Sequence, residues 1–166
     1  MKKVSIVGLS ILSAFAVALV MFINACTSDP CKDVTCLNGG TCVSGTCNCT
    51  DGYEGTDCST EWRAKFEGTF LLSGTDNAGY TYSNLTTTVA SSSTGVLKMI
   101  ITVAGTYTFT VTLTSSTTFT IDALTSGGFS YTGQGDINGT TLSLTINQTD
   151  NATGDVIIFN WSGPKQ

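Results

Sequence analysis

A strict alternation of apolar and polar residues in the middle of the chain limits the possible fold most strongly. From Thr106 to Thr114 every odd-numbered residue is apolar and every even-numbered residue is threonine. Successive side chains of a β-strand point to opposite faces of the sheet, so this segment predicts a strand with one buried and one solvated face. Similar alternation recurs between Trp62 and the end of the sequence, where there is no cysteine and only one proline, Pro164.

Turn-forming clusters rich in Gly, Asn and Asp separate the alternating segments, and Asn138-Gly139 is the strongest of these signals. Connections this short leave no room for crossover helices, so sequential strands should pair antiparallel. We predict a mainly β domain at 62–166 that forms an eight-stranded antiparallel up-and-down β-barrel, with a two-sheet β-sandwich as the alternative. The predicted strands lie near residues 63–72, 79–89, 96–103, 106–114, 117–124, 128–136, 140–147 and 155–162.

Six of the seven cysteines lie close together between residues 31 and 58, with the spacing C-x4-C-x5-C-x4-C-x-C-x8-C. A segment this short cannot bury enough apolar surface to offset its chain entropy, so we expect it to be cross-linked. Six cysteines allow fifteen different sets of three disulfide bonds, and their spacing alone does not choose among them.

Two details within this segment go beyond the cysteine spacing. Asn38-Gly39-Gly40 lies between the second and third cysteines, and the segment ends in C-x2-G-(aromatic)-x-G-x2-C. With these features, residues 31–58 resemble an epidermal-growth-factor-like (EGF-like) module. The resemblance implies the pairs Cys31–Cys42, Cys36–Cys47 and Cys49–Cys58.

Many modules of that family bind calcium through an acidic segment just before the first cysteine. Residues 26–30 offer a single carboxylate there, Asp29. Because calcium requires six to eight oxygen ligands, we expect no metal in this module.

The N-terminus has the pattern of an export signal. Lys2 and Lys3 precede an uncharged apolar stretch at 4–23, which is also just long enough to span a membrane. The sequence Ile23-Asn24-Ala25-Cys26 then resembles the bacterial lipobox, in which the cysteine thiol receives a diacylglycerol before cleavage.

The lipobox resemblance implies a lipoprotein signal peptide at 1–25, lipid attachment (diacylglycerol and palmitate) at Cys26 and a lipidated tether at 26–30. An uncleaved signal anchor with an unmodified Cys26 is the alternative. Both interpretations place the rest of the chain outside the cytoplasm. Thr27 stands where aspartate would signal retention in the inner membrane, so we expect an outer-membrane or cell-surface location.

The start of the β domain carries two weaker resemblances. The stretch that begins at Lys65 and reads Lys-Phe-Glu-Gly-Thr-Phe is similar to the G-x-W element that opens lipocalins and other calycins, with Phe70 in place of the tryptophan. Together with the lipobox and the disulfide module, the longer segment Arg63-Ala64-Lys65-Phe66-Glu67-Gly68-Thr69-Phe70 resembles surface lipoproteins of Bacteroidota. These likenesses imply a lipocalin-like β domain and a cell-surface location, but they do not imply a particular activity.

Composition argues against several classes of function. A net charge of −5 is unsuited to nucleic-acid binding, which needs a basic face. Without histidine, and with its cysteines paired or lipidated, the chain lacks the usual base for nucleophilic catalysis. The carboxylates of the β domain fall in turns or at outward positions of strands, so we expect no enzyme activity and no cofactor.

Binding functions remain. We expect a non-catalytic surface module that is anchored to the membrane by its lipid and binds a protein or glycan partner. Tyr80 and Tyr82 share one face of a predicted strand, as in an aromatic platform for sugars, although two tyrosines at this spacing are more often part of a core. The alternative is a lipocalin-like carrier of a small apolar ligand, with Tyr107, Phe109 and Trp161 as candidate contacts in the lumen. The many inward aromatic residues favour a lumen filled by side chains over a hollow one.

Overall fold

A computed structural model describes residues 29–166. The predicted signal peptide at 1–25 and the predicted lipid attachment at Cys26 lie outside these residues. Within the described part, no helix is long and apolar enough to cross a membrane.

The cysteine-rich segment folds around two short antiparallel strand pairs, β1 with β2 and β3 with β4. Disulfide bonds join Cys31 to Cys42, Cys36 to Cys47 and Cys49 to Cys58, the same pairs that the family resemblance implies. Their Cα–Cα distances of 5.8, 5.6 and 5.3 Å suit unstrained bridges. The strands are β1 (Thr41–Val43), β2 (Thr46–Asn48), β3 (Tyr53–Glu54) and β4 (Thr60–Glu61).

The remainder of the chain forms a closed barrel of eight antiparallel strands. Each strand pairs with its neighbours in sequence, and β12 returns to pair with β5 from Phe159↔Asp76 to Ser162↔Ser73. This seam closes the sheet, which confirms the predicted barrel over the β-sandwich. The strands are β5 (Gly68–Asp76), β6 (Thr81–Ser91), β7 (Lys98–Val103), β8 (Tyr107–Leu113), β9 (Thr118–Ser126), β10 (Phe129–Asn138), β11 (Thr141–Asp150) and β12 (Val156–Pro164).

The first predicted barrel strand, at 63–72, is wrong at its start. Trp62–Lys65 forms a 3-10 helix, and the strand begins only at Gly68. Gly68 has a φ of 137°, a conformation that favours glycine and turns the chain from the helix into the strand. Phe66 continues the even-numbered apolar spacing of Phe70 and Leu72, so period two alone could not reveal the change of structure.

The barrel core is apolar and continuous. The aromatic rings of Phe66 and Phe119 pack edge to face with their centroids 5.7 Å apart. A Cβ atom on Gly135 would lie 2.3 Å from Cζ of Phe119, so glycine at this inward position makes room for the ring. Other buried members of the core are Phe70, Leu72, Val89, Met99, Ile101, Val103, Val111, Leu113, Ile121, Ile137, Leu142, Leu144 and Ile146.

The two ends of the barrel differ, and we name them by what lies there. The module end carries the 3-10 helix and the connections at 92–97, 114–117 and 139–140. The open end carries the turns at 77–80, 104–106, 127–128 and 151–155.

Hydrogen bonds and an ion pair join the disulfide module to the 3-10 helix, and join that helix to the module end of the barrel. The backbone N–H of Trp62 donates to the carbonyl of Gly52 over 2.9 Å. The Arg63 guanidinium donates to the carbonyl of Ser92 over 3.2 Å, and Lys65 forms a 2.7 Å ion pair with Glu54.

Candidate functional site

A cavity of about 180 Å³ opens at the open end of the barrel. It combines a mostly apolar wall with a few polar atoms, which is the usual character of a small-molecule site. Six aromatic residues line it: Tyr82, Tyr107, Phe109, Tyr131, Phe159 and Trp161. The rest of the wall comes from Leu85, Val103, Ala104, Ile146 and Gln148.

A bulge in β6 brings two lining residues to the same face. Leu85 pairs with Leu72 and Tyr82 pairs with Gly74, so β6 has one more residue than β5 between these positions. Asn84 takes up the extra length with a φ of 55°, and its N–H donates to Oγ of Ser73 over 3.2 Å. Because of the bulge, both Tyr82 and Leu85 reach the lumen despite their odd spacing.

The aromatic rings of the wall pack against one another. The Trp161 ring centroid lies 5.6 Å from that of Tyr82 and 5.1 Å from that of Phe159. On another part of the wall, Phe109 and Tyr131 meet edge to face at 5.8 Å. Such pairs stabilise by about 0.5–1.5 kcal/mol beyond the area they bury, so the rings hold one another in place.

A carboxylate lies just behind the wall of the cavity. The Tyr82 hydroxyl donates to Oδ2 of Asp76 over 2.9 Å, and Oδ1 of Asp76 accepts the N–H groups of Ala78 and Tyr80. Burial raises the pKa of Asp76, but these hydrogen bonds to its ionised form outweigh burial and bring the pKa below its usual value. Burial, and then the bond to Asp76, raise the pKa of Tyr82. Tyr82 is therefore neutral and Asp76 is charged near pH 7.

Charge is distributed unevenly between the two ends. Within residues 29–166, all the basic side chains belong to the disulfide module, the 3-10 helix or the module end of the barrel: Lys32, Arg63, Lys65, Lys98 and Lys165. Lys98, the first residue of β7, forms a 2.7 Å ion pair with Asp122. The open end carries Asp76, Asp150 and Asp155 and no basic residue of the described chain.

One donor in the cavity wall has no acceptor among the described residues. Nε1 of Trp161 is buried and makes no hydrogen bond there, and the residue as a whole is 9% exposed. An unpaired buried donor costs about 1–3 kcal/mol. The conformation of this ring therefore follows from its apolar packing against Tyr82 and Phe159.

The three lumen residues predicted from the sequence lie in this single cavity. Phe109 and Trp161 are buried in its wall, whereas Tyr107 is 55% exposed and lies at the rim. The inward aromatic residues fill the barrel at the module end, as expected, but enclose free space at the open end. Alternation identified these positions as inward, yet it carried no information on which level of the barrel stays hollow.

The suggested sugar platform is not present. Tyr80 lies in the β5–β6 turn and is 68% exposed, whereas Tyr82 points into the lumen. The turn, held by Asp76, separates two tyrosines that simple alternation placed on the same face of one strand. Sequence reasoning also missed Gln148 and the Asp76–Tyr82 pair, because contacts between distant strands leave no local pattern.

The rim of the cavity exposes large apolar side chains in addition to the carboxylates of its turns. Five large side chains at the open end are exposed to solvent: Tyr80, Tyr107, Leu124, Val156 and Ile157. Across the part of the chain that the structure describes, no three His, Cys, Asp or Glu residues are grouped as metal ligands would be.

No protein-family model matches this chain, and no curated protein sequence matches it. The function is therefore argued from the geometry of the molecule.

Proposed function

We propose that this protein is an exported, lipid-anchored surface protein whose barrel binds a small ligand without catalysing a reaction. The observation that carries the proposal is the aromatic cavity at the open end. It favours the carrier alternative of the sequence analysis over an interaction module with a filled lumen.

The size of the cavity limits the ligand. Sites for drug-sized molecules usually measure about 300–1,000 Å³, whereas a cavity of about 150 Å³ is sufficient for benzene. At about 180 Å³, this cavity suits a molecule, or the end of a molecule, comparable to one ring. A long acyl chain would not fit inside it.

The placement of the cavity suits attachment at the N-terminus. The described chain starts at Asp29, next to the disulfide module, and the module is joined through the 3-10 helix to the end of the barrel away from the cavity. A lipid on Cys26 would therefore leave the cavity on the far side from the membrane. In this proposal the EGF-like module is a rigid spacer and the lipocalin-like barrel is the binding domain.

The apolar rim supports a second candidate function, the recognition of a protein or glycan at the cell surface. Contiguous exposed apolar residues often mark interaction sites. If the rim has this role, deleting residues 62–166 should abolish cell or glycan adhesion, and the Tyr80→Ser variant should weaken it while leaving ligand binding in the cavity intact.

Ligand binding can be measured by the fluorescence of Trp161. The Trp62→Phe variant leaves Trp161 as the remaining tryptophan, and benzyl alcohol serves as a neutral single-ring probe. We expect a saturable change in fluorescence. In the same background, Leu85→Phe should fill part of the cavity and weaken binding, whereas Ile100→Phe on the outer face is the matched control. No saturable change, or equal binding by both variants, would contradict a binding cavity.

Anchoring can be tested in a bacterial host. The wild-type chain should incorporate labelled palmitate and sediment with membranes. Cys26→Ser should lose the label, whereas Thr27→Ser is the control. Labelling that persists in Cys26→Ser would show that the lipid, if any, is carried elsewhere.

A further inference from the structure

The cavity has a chemical preference beyond its size. Each aromatic ring carries partial negative charge on its faces, and several rings around one space attract a cation that has lost its water. Six of the lining residues are aromatic, drawn from β6, β8, β10 and β12, so they surround the space rather than cover one side of it.

The charged residues at the open end also favour a cation. Asp76 accepts a hydrogen bond from the wall residue Tyr82, and Asp150 and Asp155 lie in the turn at the same end. No lysine or arginine of the described chain lies at this end. An anionic ligand would meet no positive partner here, whereas a cation would meet negative charge on approach and aromatic rings once inside.

We propose that the cavity binds a small alkylated ammonium ion, of about the size of tetramethylammonium or choline. This inference rests on the proposed binding function and specifies its ligand class. Methyl groups on the nitrogen give the cation an apolar surface and lower the free energy needed to remove its water. An alkylated ammonium ion therefore matches an aromatic wall better than a primary ammonium does. A primary ammonium would need hydrogen-bond acceptors, and the wall offers few besides the Gln148 side chain and tyrosine hydroxyls.

The test uses three compounds of one shape and different charge: choline, its neutral isostere 3,3-dimethylbutanol, and the anion 3,3-dimethylbutyrate. Each is titrated into the Trp62→Phe protein at constant ionic strength, with Trp161 fluorescence and calorimetry as readouts. We expect choline to bind about tenfold more tightly than the neutral isostere, and the anion to bind most weakly.

Two results would overturn the inference. If the neutral compound binds as tightly as choline, the cavity selects shape and apolarity without regard to charge. If none of the three binds although benzyl alcohol does, the ligand is not an alkylated ammonium ion. In both cases the proposed binding function survives, whereas failure of benzyl alcohol as well would remove that function too.

Variants at the rim separate the electrostatic role of a ring from its bulk. Tyr107→Leu should weaken choline binding at least threefold with little effect on 3,3-dimethylbutanol, whereas Tyr107→Phe should retain most of the choline affinity. Tyr80→Leu, which removes an exposed ring outside the cavity wall, is the matched control. An equal loss of both ligands in Tyr107→Leu would show that the ring acts only as an apolar surface.

Discussion

Both ends of the barrel direct apolar side chains into the lumen, but these side chains fill the lumen at one end only. At the module end, Phe66, the residue that follows the 3-10 helix, packs on Phe119, and the lumen is solid. At the open end, aromatic side chains from four strands line free space, and only turns surround the mouth. Whether a small barrel is solid or hollow at a given level thus depends on what closes that end.

The difference has a local cause in the chain. The residues before β5 leave the strand direction, form a 3-10 helix and place an apolar side chain across the end of the barrel. At the other end each turn links two strands directly and contributes no such plug. Stability is therefore expected to concentrate at the module end and binding at the open end.

The largest expected effect is that of reducing the three disulfide bridges. Each closes a short loop and contributes about 3 kcal/mol by the loop-entropy estimate, so the reduced module should unfold. The barrel contains no cysteine and should keep its strands. NMR spectra recorded before and after reduction would resolve the two regions. Simultaneous loss of the barrel signals would mean that the module is required to keep the module end closed.

Truncating the Phe66 side chain, which closes the module end of the barrel, should destabilise the protein more than truncating a ring of the cavity wall. Phe66 is fully buried, so Phe66→Ala should lower the free energy of unfolding by about 3–5 kcal/mol. Phe159→Ala removes the same ring from the cavity wall, where the ring is only partly buried, and should cost about half as much. Urea unfolding of both variants would test the contrast. Equal losses would contradict a division between a stabilising end and a binding end.

Protonation of Asp76 should weaken the open end. Its pKa is lower in the folded protein than in the unfolded chain, so its contribution to stability is complete above the unfolded value of about 3.8 and is lost as the pH falls through the folded value. We expect Asp76→Asn to reduce stability at pH 7 and to flatten its dependence on pH below about 4. Asp155→Asn is the control at the same end. Melting curves between pH 2.5 and 7 that are parallel for wild type and Asp76→Asn would argue against this role.

The smallest expected change in stability comes from the rim. Tyr107 is more than half exposed, so Tyr107→Ala should alter the free energy of unfolding by no more than about 0.5 kcal/mol. Ligand binding should nevertheless weaken. A loss of several kcal/mol in urea unfolding would instead assign Tyr107 to the core and remove the distinction between rim and plug.

The sequence was sufficient for the barrel because alternation, turn residues and short connections all predict the same antiparallel meander. It was also sufficient to place Tyr107, Phe109 and Trp161 on the inside, since each lies at an apolar position of an alternating strand. The family resemblance supplied the disulfide pairs, among which cysteine spacing did not decide.

Other features depend on contacts that have no local pattern. The 3-10 helix at Trp62–Lys65 was missed because Phe66 falls in phase with the strand that follows. The bulge at Asn84 moved Tyr82 into the lumen, and its register is set by pairing with β5. The cavity itself depends on how the side chains of separate strands meet, which periodicity does not report.

The pairing of β5 with β12 determines when the barrel can close during folding. Nearly all strand pairs join neighbours in sequence and can form as the chain emerges, but β5 must wait for Val156–Pro164. If the chain crosses a membrane N-terminus first, the open sheet keeps the unpaired edge of β5 exposed until the last strand arrives. Unpaired edges invite association with other chains. Shielding of this edge, or rapid arrival of the final strand, would therefore govern the yield of closed barrels.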